Sequence, residues 1–222
     1  MCHMLGPSHV FADRAAAGVA LAQALGRRRL AAPLLVLGLP RGGVAVARQV
    51  AVALHAPLDV LVVRKIALPQ NPELAIGAAA SGGIVLWEEY IDPSAGERFR
   101  ELRQRALAEI ERRERHYRKD RPPLDLRGKT AILVDDGLAT GATMLAAVRA
   151  ARQAGAAHVI AAAPVGSREA AARVRREADL VVILETPAML FAVGQWYQRF
   201  EQLEDADVCR QLESGASARP GA

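Results

Sequence analysis

Apolar residues recur along this chain in two alternating rhythms. Over residues 14–30 they fall at Ala17, Leu21 and Leu25, the spacing of one helical face, and the segment closes on Gly26 and three arginines before Pro33. Residues 34–39 (LLVLGL) then form a short run without a polar side chain, followed at once by Pro40-Arg41-Gly42-Gly43 and the helix-prone VAVARQVAVAL. Strand, tight turn and helix are predicted in that order. Residues 59–64 (DVLVVR) predict a second buried strand, and the proline-punctuated residues 67–73 a loop. Two further apolar stretches, 74–80 and 84–87, are separated by Ser81-Gly82-Gly83 and predict a hairpin.

Residues 93–119 are rich in arginine and glutamate with the signs interleaved, which predicts a long solvated helix laced by i,i+4 pairs; an RNA-binding face is the alternative. Residues 129–134 predict a third strand and 144–155 its following helix, stopped by Gly155. Two more β-rich runs, 158–163 and 180–184, flank a helix at 168–177. Strands alternating with helices predict an α/β fold, a doubly wound, mostly parallel sheet with helices on both faces and ligands at the carboxyl ends of the strands. A length of 222 residues is enough for one core. One domain over 1–213 and a flexible tail over 214–222 are expected.

Composition narrows the picture. Hydrophobic residues make up 51% but aromatics only 4%, so Ala, Val and Leu carry the core, which suits helices packed closely on a sheet. The net charge of +5 serves solubility or an anionic ligand. Cys2 and Cys209 lie at opposite ends with no second Cys or His at metal-ligand spacing, which argues against a disulfide framework or a zinc site. The stretch MCHMLGPSHV lacks the apolar core of a signal peptide, and no run approaches the ~20 apolar residues that span a bilayer. A soluble, cytoplasmic protein without membrane attachment is expected.

Residues 132–143, ILVDDGLATGAT, carry the chemistry. A loop that leaves the carboxyl end of a parallel strand and opens a helix aims backbone N–H groups and the positive end of the helix dipole at one spot, where an anion is favoured. Ala139, Thr140, Gly141, Ala142 and Thr143 suit such a cradle, with small side chains at Gly141 and Ala142 and hydroxyl donors at Thr140 and Thr143. Asp135 and Asp136, just ahead of it, suit neutral sugar hydroxyls and, through water, a divalent cation. Together they spell a sugar phosphate. The structural alternative is that Asp136 caps a turn and Thr140 caps the helix, which accounts for one acid and not two.

VDDGLATGATM resembles the signature of the type I phosphoribosyltransferases: an apolar strand, two acids, then a small hydroxyl-bearing loop on the strand-to-helix junction. In the order that family requires, GLPRGG (38–43) is similar to its first-strand loop, and VVRKIALP (62–69) to its second strand and the start of its lid. The resemblance spans roughly residues 11–212, carried by these three segments. It includes the late stretch FAVGQWYQRFEQLEDADV, similar to a bacterial branch with undefined acceptors. It implies a fold with a small hood, built from the N-terminal segment and about 185–200, and a flexible lid over 66–74. It also implies transfer of a 5-phosphoribosyl group from phosphoribosyl diphosphate (PRPP) to a nitrogen acceptor, with Mg2+ accompanying PRPP, and a homodimer.

By the same resemblance Ala139 to Thr143 would hold the 5-phosphate, and Asp135 and Asp136 the ribose hydroxyls and, through water, the metal. Arg41, Gly42, Gly43, Arg64 and Lys65 would hold the pyrophosphate. Departures bear on the acceptor. No acid lies from Gly137 through Thr143, where the hypoxanthine-guanine class carries a third aspartate. The adenine class is similar at Leu138–Gly141 and at Arg64 to Pro69, but Glu73 does not align with its lid glutamate.

Other signals fail on context. Arg127-Gly128-Lys129-Thr130 mimics the end of a P-loop, but it enters a predicted strand and Pro123 stands where the first glycine is required. Residues 38–43 are not G-x-G-x-x-G. His116 and His158 read as structural. Phe191, Trp196, Tyr197 and Phe200 could stack on an acceptor ring or pack an interface. Two further readings stay open: a PRPP- or nucleotide-binding regulator acting on RNA or a protein partner, and a phosphoribosyl-handling domain that works beside a hydrolase.

Overall fold

The computed structural model describes residues 11–216 apart from 69, 89, 90, 93, 95 and 120. In chain order the elements are α1 (Arg14–Gly26), β1 (Leu34–Gly38), α2 (Gly42–Ala53), β2 (Leu58–Val60), β3 (Val63–Leu68), β4 (Asn71–Ala80) and β5 (Ile84–Trp87). There follow α3 (Glu97–Arg118), β6 (Thr130–Val134), α4 (Ala142–Gln153), β7 (His158–Val165), α5 (Arg168–Arg175), β8 (Leu180–Glu185) and α6 (Asp205–Ala216).

Five strands form one parallel sheet in the order β2-β1-β6-β7-β8. Its inner strands are almost wholly apolar because both faces are covered. Val36, Ile132, Val134, Ile160 and Ala162 face a core shared with Leu21 and Leu25 of α1 and Val44 and Val50 of α2. Their neighbours Leu35, Leu37, Leu133, Val159 and Ala161 face Met144, Val148 and Val174 on the opposite side. The period of two along each strand thus sorts alternate side chains into two cores, and the sheet is sandwiched by helices.

Three expectations change. The run over 59–64 is not one strand: β2 ends at Val60, the buried Leu61 and Val62 carry the chain off the sheet, and Val63 opens β3 in a separate antiparallel sheet of order β3-β4-β5. An apolar run reports burial, and burial continues unbroken across the change of sheet. The lid segment 66–74, expected as loop, is largely strand. β3 and β4 pair from Val63 opposite Ala80 to Leu68 opposite Asn71, with register shifts at Ala67. Finally, the chain beyond 204 carries α6, whose Val208 and Leu212 are buried against the α2 side of the core. The tail expected from 214 begins inside that helix, and 217–222 lie outside the described residues. The hairpin turn at 81–83 and the long charged helix stand as expected, the latter starting at Glu97.

Along α3 the charges pair as they do on a solvated helix: Arg100 with Glu97, Arg105 with Glu101, Arg112 and Arg113 with Glu109, Arg115 with Glu111. Its last turn does something else. Arg118, 9% exposed, donates through Nε and Nη2 to the two carboxylate oxygens of Asp59, both at 3.0 Å, and through Nη2 to the carbonyl of Pro122 at 2.6 Å. Arg121 donates to the carbonyls of Leu58 and Leu212, each at 2.8 Å, so one cluster ties β2, α3 and α6 together. No described helix is long and apolar enough to cross a membrane.

Removing one member of a buried, hydrogen-bonded pair strands the other's charge. Asp59→Ala is expected to lower unfolding free energy by about 3 kcal/mol, measured by urea denaturation. A loss under about 1 kcal/mol, the range of surface pairs, would contradict a structural role for this cluster.

Candidate active site

β1 and β6 are neighbours, but the chain leaves β1 through α2 toward β2 and leaves β6 through α4 toward β7. Their carboxyl ends therefore form a crevice where the winding reverses, the place where open parallel sheets bind ligands. Two loops meet there. From β1 come Leu39 to Arg41, with a cis peptide between Pro40 and Arg41, and then Gly42 and Gly43 at the start of α2. From β6 come Asp135 to Gly141.

Glycine at 43 follows from that meeting. A Cβ there would lie 2.5 Å from the Val134 carbonyl oxygen and 2.8 Å from Asp135 Cα, both backbone atoms of β6 and its exit. A Cβ on Gly42 would run into the Asp136 carboxylate. Gly141, the residue preceding α4, has φ +73°, the left-handed region that favours glycine, and its Cβ would crowd Ala170 of α5 at 3.0 Å. Gly141, the residue before α4, offers no side-chain cap, and the Thr140 hydroxyl accepts only a long 3.4 Å bond from Ala142 N–H, so the first turn of α4 keeps N–H groups without intrahelical partners.

The acids differ in surroundings. Asp135 accepts a 2.9 Å hydrogen bond from the Asp136 N–H. Enclosure by protein, and after it the charge of Asp136, push the Asp135 pKa well above the usual carboxylate range, with that N–H pulling the other way. Asp136 caps no turn. Its Oδ2 accepts from Arg14 Nε at 2.8 Å, and its backbone carbonyl accepts from the Tyr197 hydroxyl at 2.6 Å. Burial, with Asp136 next, raises the Tyr197 pKa, keeping the phenol a donor. The reading in which Asp136 serves as a turn cap is thereby set aside.

A small cap covers this end of the sheet. Phe11 N–H donates to the Trp196 carbonyl and Gln198 N–H to that of Phe11, so 11–12 run beside 196–199. Trp196 and Tyr197 pack with Ala17 and Val165, and the Val193 side chain closes over Gly137. Trp196 and Tyr197 are packing residues; Phe191, 77% exposed, is not.

Gly42, Gly43, Asp135 and Asp136 meet here, Arg41 lines a cleft with Gly42 and Asp136, and the 139–143 loop follows along the chain, with Ala139 and Thr140 on a second cleft. Arg41 makes a loose 3.7 Å pair with Glu204 at the rim of a cleft of about 400 Å³ that also exposes Arg14, Gly42 and Asp136. Arg64 and Lys65 do not act as a pair. As successive residues of β3 they point to opposite faces: Arg64 toward Glu109 of α3 at 3.7 Å, Lys65 into a narrow crevice beside Ala142. Sequence reasoning missed Arg14 and Arg173. Arg173 of α5 reaches toward the Thr140 carbonyl at 3.4 Å and adjoins the phosphate-type loop. Arg14 opens α1 and Arg173 is one of three arginines on α5, and only the tertiary arrangement distinguishes them.

Among the described residues no three His, Cys, Asp or Glu side chains converge to hold a metal ion. Asp135 and Asp136 would meet a divalent cation only together with oxygens that a ligand supplies, since two carboxylates are too few for a closed site and Asp136 is paired with Arg14.

A model of the phosphoribosyl transferase domain matches residues 15–197. The chain belongs to the phosphoribosyl transferase family. Proteins from two strains of Mycobacterium tuberculosis, provisionally named phosphoribosyl transferases, are each 45% identical over 210 residues, 92% of this chain. The chain spans about half their length, 46%. A crystal structure of a protein from Thermus thermophilus is 40% identical with a TM-score of 0.83, covering 92% of this chain and 98% of that one. As a family member the chain has the sheet and switch-point crevice described above.

Because Gly43 is pressed against the backbone at the end of β6, Gly43→Ala is expected to cost about 2 kcal/mol in urea denaturation. Gly26→Ala, where an added Cβ meets nothing within 4 Å, is the control. Equal stabilities for the two variants would contradict the packing of the β1 loop on β6.

Proposed function

We propose that this chain is a phosphoribosyltransferase that moves the 5-phosphoribosyl group of PRPP to a nitrogen acceptor and releases pyrophosphate. The observation that carries the reading is the juxtaposition at the switch point: two adjacent carboxylates, flanked on one side by an uncapped helix N-terminus and on the other by a glycine pair with Arg41. That order, anion site, diol site, anion site, is the order of groups along PRPP.

In this reading the N–H groups and hydroxyls of Thr140 to Thr143 hold the 5-phosphate. Asp135 and Asp136 receive the ribose hydroxyls. The N-terminus of α2 with Arg41 holds the pyrophosphate; Arg41's pair with Glu204 is exposed and long, so little is lost in exchanging it for a ligand. As the bond from the anomeric carbon to pyrophosphate breaks, negative charge grows on the leaving oxygens and positive charge on the sugar ring. Fixed donors at Gly42 and Gly43 and the Arg41 charge meet the first, and the Asp136 carboxylate faces the second, so both interactions strengthen toward the transition state. A magnesium ion, if held by Asp135 and Asp136 through water, would supply positive charge against the leaving pyrophosphate. Of the two cations expected at the pyrophosphate, Lys65 shares a crevice with Ala142, whereas Arg64 faces Glu109 of α3.

The acceptor enters a second cleft of about 450 Å³ between the loops after β6, β7 and β8, lined by Thr140, Glu169, Arg173, Met189 and Phe191 among others. An exposed aromatic face, a carboxylate and a guanidinium suit a planar heterocycle bearing N–H groups.

The test is a pyrophosphate-release screen over purine, pyrimidine and small amine acceptors with wild-type protein and with Asp135→Asn/Asp136→Asn. Release with one acceptor is expected, falling about 100-fold or more in the double variant. Because Asp136→Asn also removes the partner of Arg14, foldedness is checked by circular dichroism and melting temperature, and Asp135→Asn alone serves if the double variant does not fold. Undiminished turnover in the variant would overturn the site assignment.

A further inference from the structure

Arg14 stands where three parts of the crevice meet. Its Nε donates to Asp136 Oδ2 at 2.8 Å, and its Nη1 donates to the Glu201 carbonyl at 2.8 Å. Its guanidinium carbon lies 3.8 Å over the Phe200 ring. The side chain is 11% exposed, and a Cβ on Gly42 would come within 3.1 Å of Nε, so the β1 loop closes its fourth side. A planar fork bound through two nitrogens and stacked on a ring has little freedom left. Phe200 is itself held by Tyr197, with ring centroids 4.9 Å apart, and the Tyr197 hydroxyl returns to the Asp136 carbonyl. Both ends of Asp136, backbone and carboxylate, are therefore gripped from the cap.

We propose that Arg14 is a positioning residue that fixes the Asp136 carboxylate for recognition of the ribose diol, making sugar selectivity depend on the cap rather than on the β6 loop alone. This rests on the sugar-phosphate reading above. Arg14 bonds one carboxylate oxygen and leaves the other, Oδ1, to accept from a hydroxyl. Without Arg14 the acid would rotate freely, next to a second carboxyl, and a ligand hydroxyl would have to order it on binding. The phosphate end of the ligand, held by the 139–143 backbone, gains nothing from Arg14.

The probes are ribose 5-phosphate and 2-deoxyribose 5-phosphate, which share the phosphate and differ in one hydroxyl. Calorimetric affinities are compared for wild type, Arg14→Ala and Phe200→Leu. Wild type should prefer the ribose form by about tenfold or more, the size of one hydrogen bond to a charged acceptor. Arg14→Ala should bring that ratio below about threefold while the deoxy form binds within about threefold of wild type. Phe200→Leu, which loosens the stacking without touching the fork, should give an intermediate ratio and serves if Arg14→Ala does not fold. A wild-type ratio retained in both variants, whatever happens to their melting temperatures, would overturn the proposal and assign Arg14 to cap stability alone. Wild-type protein that binds neither sugar phosphate would remove the sugar-phosphate reading itself, a failure distinct from the first.

Discussion

At the boundary of β1 and β6 two parallel neighbours send the chain away in opposite directions, and nearly everything at the site depends on how closely their exits approach. The approach is set by backbone, not by side chains. Gly43 lies against the Val134 carbonyl and Asp135 Cα, leaving no room for a Cβ, and Gly42 lies against the Asp136 carboxylate. The N-termini of α2 and α4 each follow directly from these two exits. Each brings uncompensated N–H groups and the positive end of a dipole, so an anion at either end is favoured before any charged side chain is counted.

Two carboxylates between two anion sites would be an electrostatic liability if all faced one another. The arrangement relieves it in two ways. Asp135 is enclosed and its charged form disfavoured, while Asp136 is paired with Arg14. With Asp136 charge-balanced by Arg14 and its Oδ1 left to accept, the acid pair suits a neutral diol joined to anionic groups on both sides. The same Arg14 contact links the acids to the residues 196–201 that cover this end of the sheet.

Much of this was legible in the chain. The apolar runs at β1, β6 and β7 marked them as buried strands. The sequence VDDGLATGAT placed its acids and its small residues on a strand-to-helix junction, which is where the structure has them. What escaped was set by tertiary choice. The run at 59–64 reads as continuous because Leu61 and Val62 are buried while crossing from one sheet to another. Residues 67–73 read as loop because Pro69 and Pro72 outweigh a pairing that only β4 can supply. α6 went unseen because its buried Val208 and Leu212 stand among acids and small polar residues. Arg14 looked like the first residue of an amphipathic helix, and nothing local says that its partner is 122 residues away.

The central claim is that the crevice between β1 and β6 is a PRPP site whose ligand brings its own metal. Calorimetric titration of the wild-type protein with PRPP, with magnesium and then with a chelator, tests it most directly. The account predicts saturable one-to-one binding with magnesium and markedly weaker binding without it; absence of binding under both conditions would contradict it.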